Sequence, residues 1–337
     1  MHIFELTRRL IEIESITENE KDVAFFLRDY LSKLNYRVEL QEAAPGRFNV
    51  VALAGRPDLV FTTHLDTVPP YLPFREDDDA IYGRGACDAK GIIAAQIEAA
   101  EELRRGGENR IGLLFLVGEE RNSAGALCAN RNPPGSRFYV DGEPTENKLA
   151  IGSKGSLRAE IIARGRAAHS AYPHMGESAV LKLLDVLADI RAMDLPSDPV
   201  MGQTTCNIAI LEGGTKPNIV PDYARAEIMF RSVAPLADLK RNLETRVAGR
   251  AEVRYPFEVP LTLMNILDGF ESTVVSFASD VPFLTGWGKP FLVGPGSILD
   301  AHTDHERITK RQLLEGVEVY VRLARRLLDS LPEQQVR

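Results

Sequence analysis

Cysteine is scarce. Cys87, Cys128 and Cys206 are the only three in 337 residues. They lie far apart, are odd in number and form no Cys-x-x-Cys pair. A disulfide framework and a cysteine zinc site are therefore not expected, and a reducing cytoplasm fits best. Basic charge is also short: 40 Lys and Arg stand against 48 Asp and Glu, a formal net charge of −8. No Lys/Arg cluster is interleaved with aromatics, which argues against nucleic acid, because phosphate binding needs a basic face. No apolar run approaches the roughly 20 residues that span a bilayer, so no membrane attachment is expected. Met1-His2-Ile3-Phe4-Glu5 has neither a basic n-region nor an apolar h-region, and no signal peptide is expected. Internal repeats and low-complexity tracts are missing too.

What remains is an ordinary globular composition, 44% hydrophobic and 26% charged, with enough length for two domains. Ile3, Leu6, Leu10 and Ile13 recur at helical spacing, and Thr17 with Glu20 resembles a capping box ahead of a second helix through Val23, Leu27 and Leu34. Short apolar runs follow at Arg37 to Leu40, Phe48 to Leu53 and Leu59 to Thr63. Ile93, Ile97, Ala100 and Leu103 predict a helix, and Ile111 to Val117 a strand buried on both faces. Alternating helices and buried strands predict an α/β layer with a mixed, largely parallel sheet.

The pattern changes near Gly155. Leu157 to Ala163 alternates polar and apolar. Then come a helix (Val180, Leu183, Leu184, Leu187, Ile190), strands at Cys206 to Leu211 and Tyr223 to Phe230, a helix from Leu236 to Val247, and a strand at Glu252 to Tyr255. This β-α-β-β-α-β order is the ferredoxin-like motif. The expected division is one α/β domain over 1–155 and 262–337, with an inserted α+β domain over 156–261. The chain closes in a long helix through Leu314, Val317, Val321 and Leu328.

Five blocks carry candidate chemistry. His64-Leu65-Asp66 follows a buried strand, where positions i and i+2 point the same way. His64 could then hold a metal through one ring nitrogen while Asp66 accepts the other N–H. Asp88, in Gly83-Arg84-Gly85-Ala86-Cys87-Asp88-Ala89-Lys90-Gly91, sits where a loop opens a helix and is either a helix cap or a ligand. Cys87 reads as buried packing. Glu119-Glu120 lies past the Leu113 to Val117 run, at a strand's carboxyl end, where open α/β sheets bind ligands. Tyr139-Val140-Asp141-Gly142-Glu143-Pro144-Thr145 and His302-Thr303-Asp304-His305-Glu306 complete the set. His64, Asp88, Glu120, Glu143 and His302 supply two imidazoles and three carboxylates, donors that zinc accepts. Charge balances for two zinc ions, three carboxylates and one bridging hydroxide, and Glu119 is left over as a general base. Asp141 remains an alternative to Glu143, and His305 an alternative to His302.

In this order the blocks resemble the zinc aminoacylase and carboxypeptidase family, which includes acetylornithine deacetylase, succinyl-diaminopimelate desuccinylase and carboxypeptidase G. The likeness covers nearly the whole chain. It implies that His64 and Glu143 bind one metal, Glu120 and His302 the other, and that Asp88 bridges them. Zinc is implied, two ions per subunit, with Co²⁺ or Mn²⁺ as substitutes. Asp66 would orient His64. Glu119 would deprotonate the attacking water and later protonate the leaving amine. The Asp88–Ala89 peptide would be cis. The inserted domain would act as lid and dimerisation domain of a homodimer, with His169 reaching the partner's site to stabilise an oxyanion. Asn218 and Arg231 would hold the substrate's α-carboxylate. The expected reaction is removal of an acyl group, such as acetyl, from an N-acyl amino acid, in the manner of the acetylornithine or acetylcitrulline deacetylases. Glu143-Pro144-Thr145 and Ser279-Asp280 suggest that branch. The alternative is a dipeptidase or carboxypeptidase, or the desuccinylase.

Overall fold

In the computed structural model, which describes residues 1–332, the chain divides into two compact units. The first comprises residues 1–151, 264–273 and 279 onward; the second comprises 152–263 and 274–278. The second unit is thus an insertion close to the expected 156–261 span, with one short extra segment.

The first unit is built on a six-stranded sheet. Its order is Arg37–Ala44, Arg47–Leu53, Ile111–Leu116, Leu59–His64, Phe138–Asp141 and Lys289–Leu292. The first two strands form an antiparallel hairpin, and Arg47–Leu53 is antiparallel to Ile111–Leu116. The remaining pairings are parallel. The sheet is therefore mixed and largely parallel. Leu59–His64 and Ile111–Leu116 are buried at every position, which explains their near-continuous apolar sequence. Helices Ile3–Glu12, Lys21–Lys33, Lys90–Arg105 and Lys310–Asp329 join this core through Leu10, Leu27, Ile93 and Tyr320.

Two local expectations fail. Thr17 and Glu20 form no capping box. Glu20 is itself the residue before the helix and caps nothing with its side chain. It is fully buried against the guanidinium of Arg47, whose Nε donates to Oε2 at 2.9 Å, because a buried arginine needs an opposing charge. Thr17 donates its hydroxyl to Asp66 instead, at 2.8 Å. In the last helix Leu313 faces the core, while Leu314 is 46% exposed.

The second unit carries an antiparallel sheet in the order Thr205–Gly213, Tyr223–Ser232, Gly155–Arg164, Glu252–Val259. Helices Ala179–Arg191 and Leu236–Val247 complete the expected β-α-β-β-α-β sequence. Leu183, Leu187, Ile190, Leu239 and Leu243 pack with Leu157, Ile161, Ile228 and Phe230 in a core of their own. Leu184, expected on that buried face, is 45% exposed. Among the described residues no helix is long and apolar enough to cross a membrane.

Candidate metal centre

Three neighbouring parallel strands end at the same edge of the sheet. His64 closes Leu59–His64, Asp141 closes Phe138–Asp141, and Ile111–Leu116 leads through Val117 and Gly118 into Glu119 and Glu120. Parallel register makes this convergence unavoidable: His64 pairs with Leu116, and Thr62 with Asp141. Asp88 comes from the loop before Lys90–Arg105. It does not cap that helix; Ala89 occupies the cap position and caps nothing with its side chain. The carboxyl of Asp88 is thus free to face the histidines. The Asp88–Ala89 peptide is cis, as the resemblance implied.

Donor atoms of His64, Asp88 and Glu143 lie within 4.8 Å of one another, and so do those of Asp88, Glu120 and His302. Asp88 belongs to both groups. Its Oδ1 is 2.9 Å from His64 Nε2, and its Oδ2 is 3.3 Å from His302 Nε2. His302 Nε2 is also 2.9 Å from Glu120 Oε1. His302 adopts φ +61°, a left-handed conformation uncommon outside glycine and found preferentially at functional sites. This arrangement turns its ring onto Glu120 and Asp88.

Charge confirms that the cluster suits cations. Burial pushes Glu119, Glu120, Asp141 and Glu143 above the usual carboxylate range. Burial disfavours a charged His64, yet Asp66 and Asp88 beside it hold its pKa well above the ordinary histidine value. Asp88 and Glu120 push His302 up to about 10. The cluster is short of positive charge, which divalent ions would supply. Two imidazoles and three carboxylates, converging with one carboxylate shared, fit a pair of such ions at bond lengths of about 2.0–2.2 Å.

Asp66 departs from its expected role. The strand ends at His64, so the alternation that would aim Asp66 at the ring stops there. His64 Nδ1 donates instead to the backbone carbonyl of Asp66 at 2.9 Å, and the carboxylate is 3.7 Å away. That carboxylate accepts N–H groups from Gly118 (2.9 Å), Glu119 (3.1 Å) and Glu120 (3.3 Å). Asp66 therefore holds the loop carrying Glu119 and Glu120, and orients His64 through its main chain.

Of the open pairs, the geometry brings in Glu143 and His302. Asp141 is the last residue of its strand, and Glu143 lies two residues beyond it. Asp141 lies in neither donor group, and its Oδ2 has no hydrogen-bond partner. His305 is exposed, with Nδ1 at 2.7 Å from Asp304 Oδ1.

The second unit holds the other candidates. His169 lies on the two-residue strand Ala168–His169, which pairs with Ile219–Val220. Ser170 N–H donates to the carbonyl of Asn218 at 3.0 Å, so His169 and Asn218 are neighbours. Ala171 N–H donates to His169 Nδ1 at 3.1 Å, which leaves Nε2 to carry the proton of a neutral ring. Arg231 is half-buried on the Tyr223–Ser232 strand, opposite Ser156 and Thr205. Reading the residues one by one took Asp280 only as a mark of the deacetylase branch, whereas its buried carboxyl acts on Glu119 and Asp141, and it missed the pairing of Arg84 with Glu306. Both ion-pair members lie inside blocks that the sequence already marks, but nothing in a sequence shows that they meet.

Residues 60–326 match peptidase family M20/M25/M40. A peptidase M20 domain-containing protein of Schizosaccharomyces pombe is 38% identical over 96% of this chain and 84% of its own length. A probable carboxypeptidase of Aspergillus flavus is 37% identical over 94% of this chain and 85% of its own. A tripeptidase from Staphylococcus aureus has the same fold, with a TM-score of 0.79 at 23% identity, over 96% of this chain and 98% of that one.

Proposed function

Since this chain belongs to peptidase family M20/M25/M40, we propose that it is a dinuclear metal-dependent hydrolase that cuts an amide bond next to a free carboxylate, as a carboxypeptidase or dipeptidase does. The observation that carries this is Asp88, whose two oxygens each meet one histidine in two overlapping donor groups. His64, Asp88 and Glu143 would hold one ion, and Asp88, Glu120 and His302 the other. Zinc suits these donors, with cobalt or manganese as substitutes. Bound there, the ions would polarise the scissile carbonyl and ease deprotonation of a water near neutral pH. Glu119 belongs to neither group, and Asp66 fixes its backbone beside them. Its carboxylate would take the proton of the attacking water and pass one to the departing amine.

The relatives of carboxypeptidase name favour peptide over acetyl-amino-acid substrates. Removal of acetyl groups rests only on Glu143-Pro144-Thr145 and Ser279-Asp280. Arg231 and Asn218 would hold the substrate's carboxylate. His169 Nε2–H would steady the oxyanion from a partner subunit. A homodimer through the second unit is supported by the exposed edge strand Thr205–Gly213 and by Leu181, Leu184, Ile210 and Leu211 on the surface. Three unpaired cysteines support a cytoplasmic setting.

Hydrolysis by the zinc-loaded protein across dipeptides, blocked peptides with a free C-terminus, N-acetylornithine, N-acetylcitrulline and N-succinyl-diaminopimelate tests the reading. Turnover of peptides, abolished by a chelator and restored by zinc, is expected. Turnover of an acetyl-amino acid alone replaces the peptidase reading by the deacetylase one. Activity untouched by complete metal removal rejects both.

A further inference from the structure

Glu306 belongs to neither donor group, yet it grips the backbone of the residue they share. It is 1% exposed. Its Oε1 accepts the N–H groups of Cys87 and Asp88, each at 3.2 Å. Its Oε2 accepts Arg84 Nη1–H at 2.6 Å, and its carbonyl accepts the N–H of Gly83 at 3.1 Å. Arg84 is buried as well, and its Nε donates to the carbonyl of Pro70 at 3.1 Å. The loop that presents Asp88 is thus fastened at several points to one residue.

That residue stands four positions after His302, and the intervening chain is itself tied down. Asp300 N–H donates to the Ser297 carbonyl (3.0 Å), Thr303 Oγ1–H donates to the Asp300 carbonyl (2.7 Å), and Arg307 pairs with Asp300 at 3.5 Å. From Arg307 onward the chain runs as a strand against Ala80–Tyr82. His64 is anchored differently: it closes a central strand of the sheet, whose register sets its position. Glu143 stands two residues past the neighbouring strand, where Gly142 N–H still donates to the Thr62 carbonyl at 2.8 Å. Asp88 and His302 lie outside the strands, two loop residues 3.3 Å apart; Glu306 makes most of the ties between their loops, beside one from Cys87 Sγ to the Ser297 carbonyl at 3.7 Å.

We propose that Glu306 is a positioning residue that holds the backbone of Asp88 in register with His302, so that the Asp88–Glu120–His302 group depends on it far more than the His64–Asp88–Glu143 group does. The proposal rests on the dinuclear reading given above. It is distinct from a general contribution of the buried Arg84–Glu306 pair to folding, which would weaken both groups alike.

Two double variants separate these roles. Both carry Arg84→Met, so that no buried guanidinium is left unpaired. With Glu306→Gln the side-chain oxygen still accepts the Cys87 and Asp88 N–H groups; with Glu306→Leu it cannot. Zinc binding to the metal-free proteins, folded by circular dichroism, is measured by competition with a chromophoric chelator. The Gln variant is expected to keep two ions near wild-type affinity. The Leu variant is expected to keep the first and to bind the second about 10–100-fold more weakly, the usual effect of losing an outer partner of a ligand. Equal second-ion affinity in the two variants, or equal loss of both ions with Leu, overturns the proposal. Should the Leu variant not fold, Glu306→Asp beside the native Arg84 draws the acceptor back by one methylene. It is expected to weaken the second ion selectively, and unchanged affinity overturns the proposal as well. A wild-type chain that binds fewer than two ions sinks the dinuclear reading first; two ions with an indifferent Glu306 sinks only this inference.

Discussion

Asp66 and Glu119 sit side by side in the site but carry different loads. Asp66 collects three consecutive amides and the Thr17 hydroxyl in a fully buried position. Removing it orphans buried donors at about 1–3 kcal/mol each. Asp66→Ala is therefore expected to lower the unfolding free energy of the metal-free protein by at least about 2 kcal/mol in urea, together with its metal affinity. Glu119 holds no loop in place. Glu119→Ala is expected to leave the metal content and the urea midpoint near wild type while turnover drops about 10²–10⁴-fold, the usual weight of a general base. Normal turnover would remove Glu119 from that role. The sequence marked both residues, because a carboxylate beside a strand-end histidine and an acidic pair after an apolar run are unusual local chemistry. It misassigned the acceptor at His64 Nδ1, because where a strand stops decides which oxygen faces the ring.

The buried strands were legible as elements because both their faces are covered, which leaves an almost unbroken apolar run. The second unit was legible because its sheet has one face on a core, which leaves alternation. Side-chain assignments at element ends were less secure. Glu20 reads as a cap from its spacing, but burial of Arg47 twenty-seven positions later claims it. Packing between the Lys90–Arg105 helix and the end of Phe138–Asp141 is equally invisible locally. There Gly142 leaves no room: a Cβ would lie 2.4 Å from Ile92 Cγ2 and 2.5 Å from Gln96 Nε2. Gln96 Nε2 donates to the Thr62 carbonyl at 2.8 Å and cannot move freely. Gly142→Ala is expected to cost about 1–3 kcal/mol by overpacking, read as a lower urea midpoint. An unchanged midpoint would mean that the helix shifts without penalty.

Two predictions concern the molecule as a unit. If the exposed edge of the second unit joins two copies, Leu184→Glu with Leu211→Glu should turn a sedimenting dimer into a monomer while each chain still binds its metals. A monomeric wild type at micromolar concentration would reject the homodimer. The second prediction is a pH dependence. Burial pushes Asp280 up to about 7, against the opposing pull of the Ser123 hydroxyl and of His64. Asp141 is also raised, by burial and by Asp280. The folded pKa lies above the unfolded one, near 3.9, so between these values the folded chain binds more protons. The contribution of Asp280 is therefore complete below about pH 4 and is lost as pH rises through about 7. In the metal-free protein the stability of wild type relative to Asp280→Asn should fall across that window, by about 4 kcal/mol at most. A flat difference would show that Asp280 ionises normally.

By itself the sequence determined the α/β class, the inserted β-α-β-β-α-β unit and the five acidic and histidine blocks, since hydrophobic period and local residue chemistry are properties of neighbours along the chain. Tertiary structure alone decided that Glu143 rather than Asp141, and His302 rather than His305, joins the donor groups. It also decided that Asp88 is shared instead of capping a helix, and that Glu306 reaches back to the Asp88 loop. These depend on where strands end and which loops meet at the sheet's edge, and such meetings are set by packing between segments that can stand more than 200 residues apart.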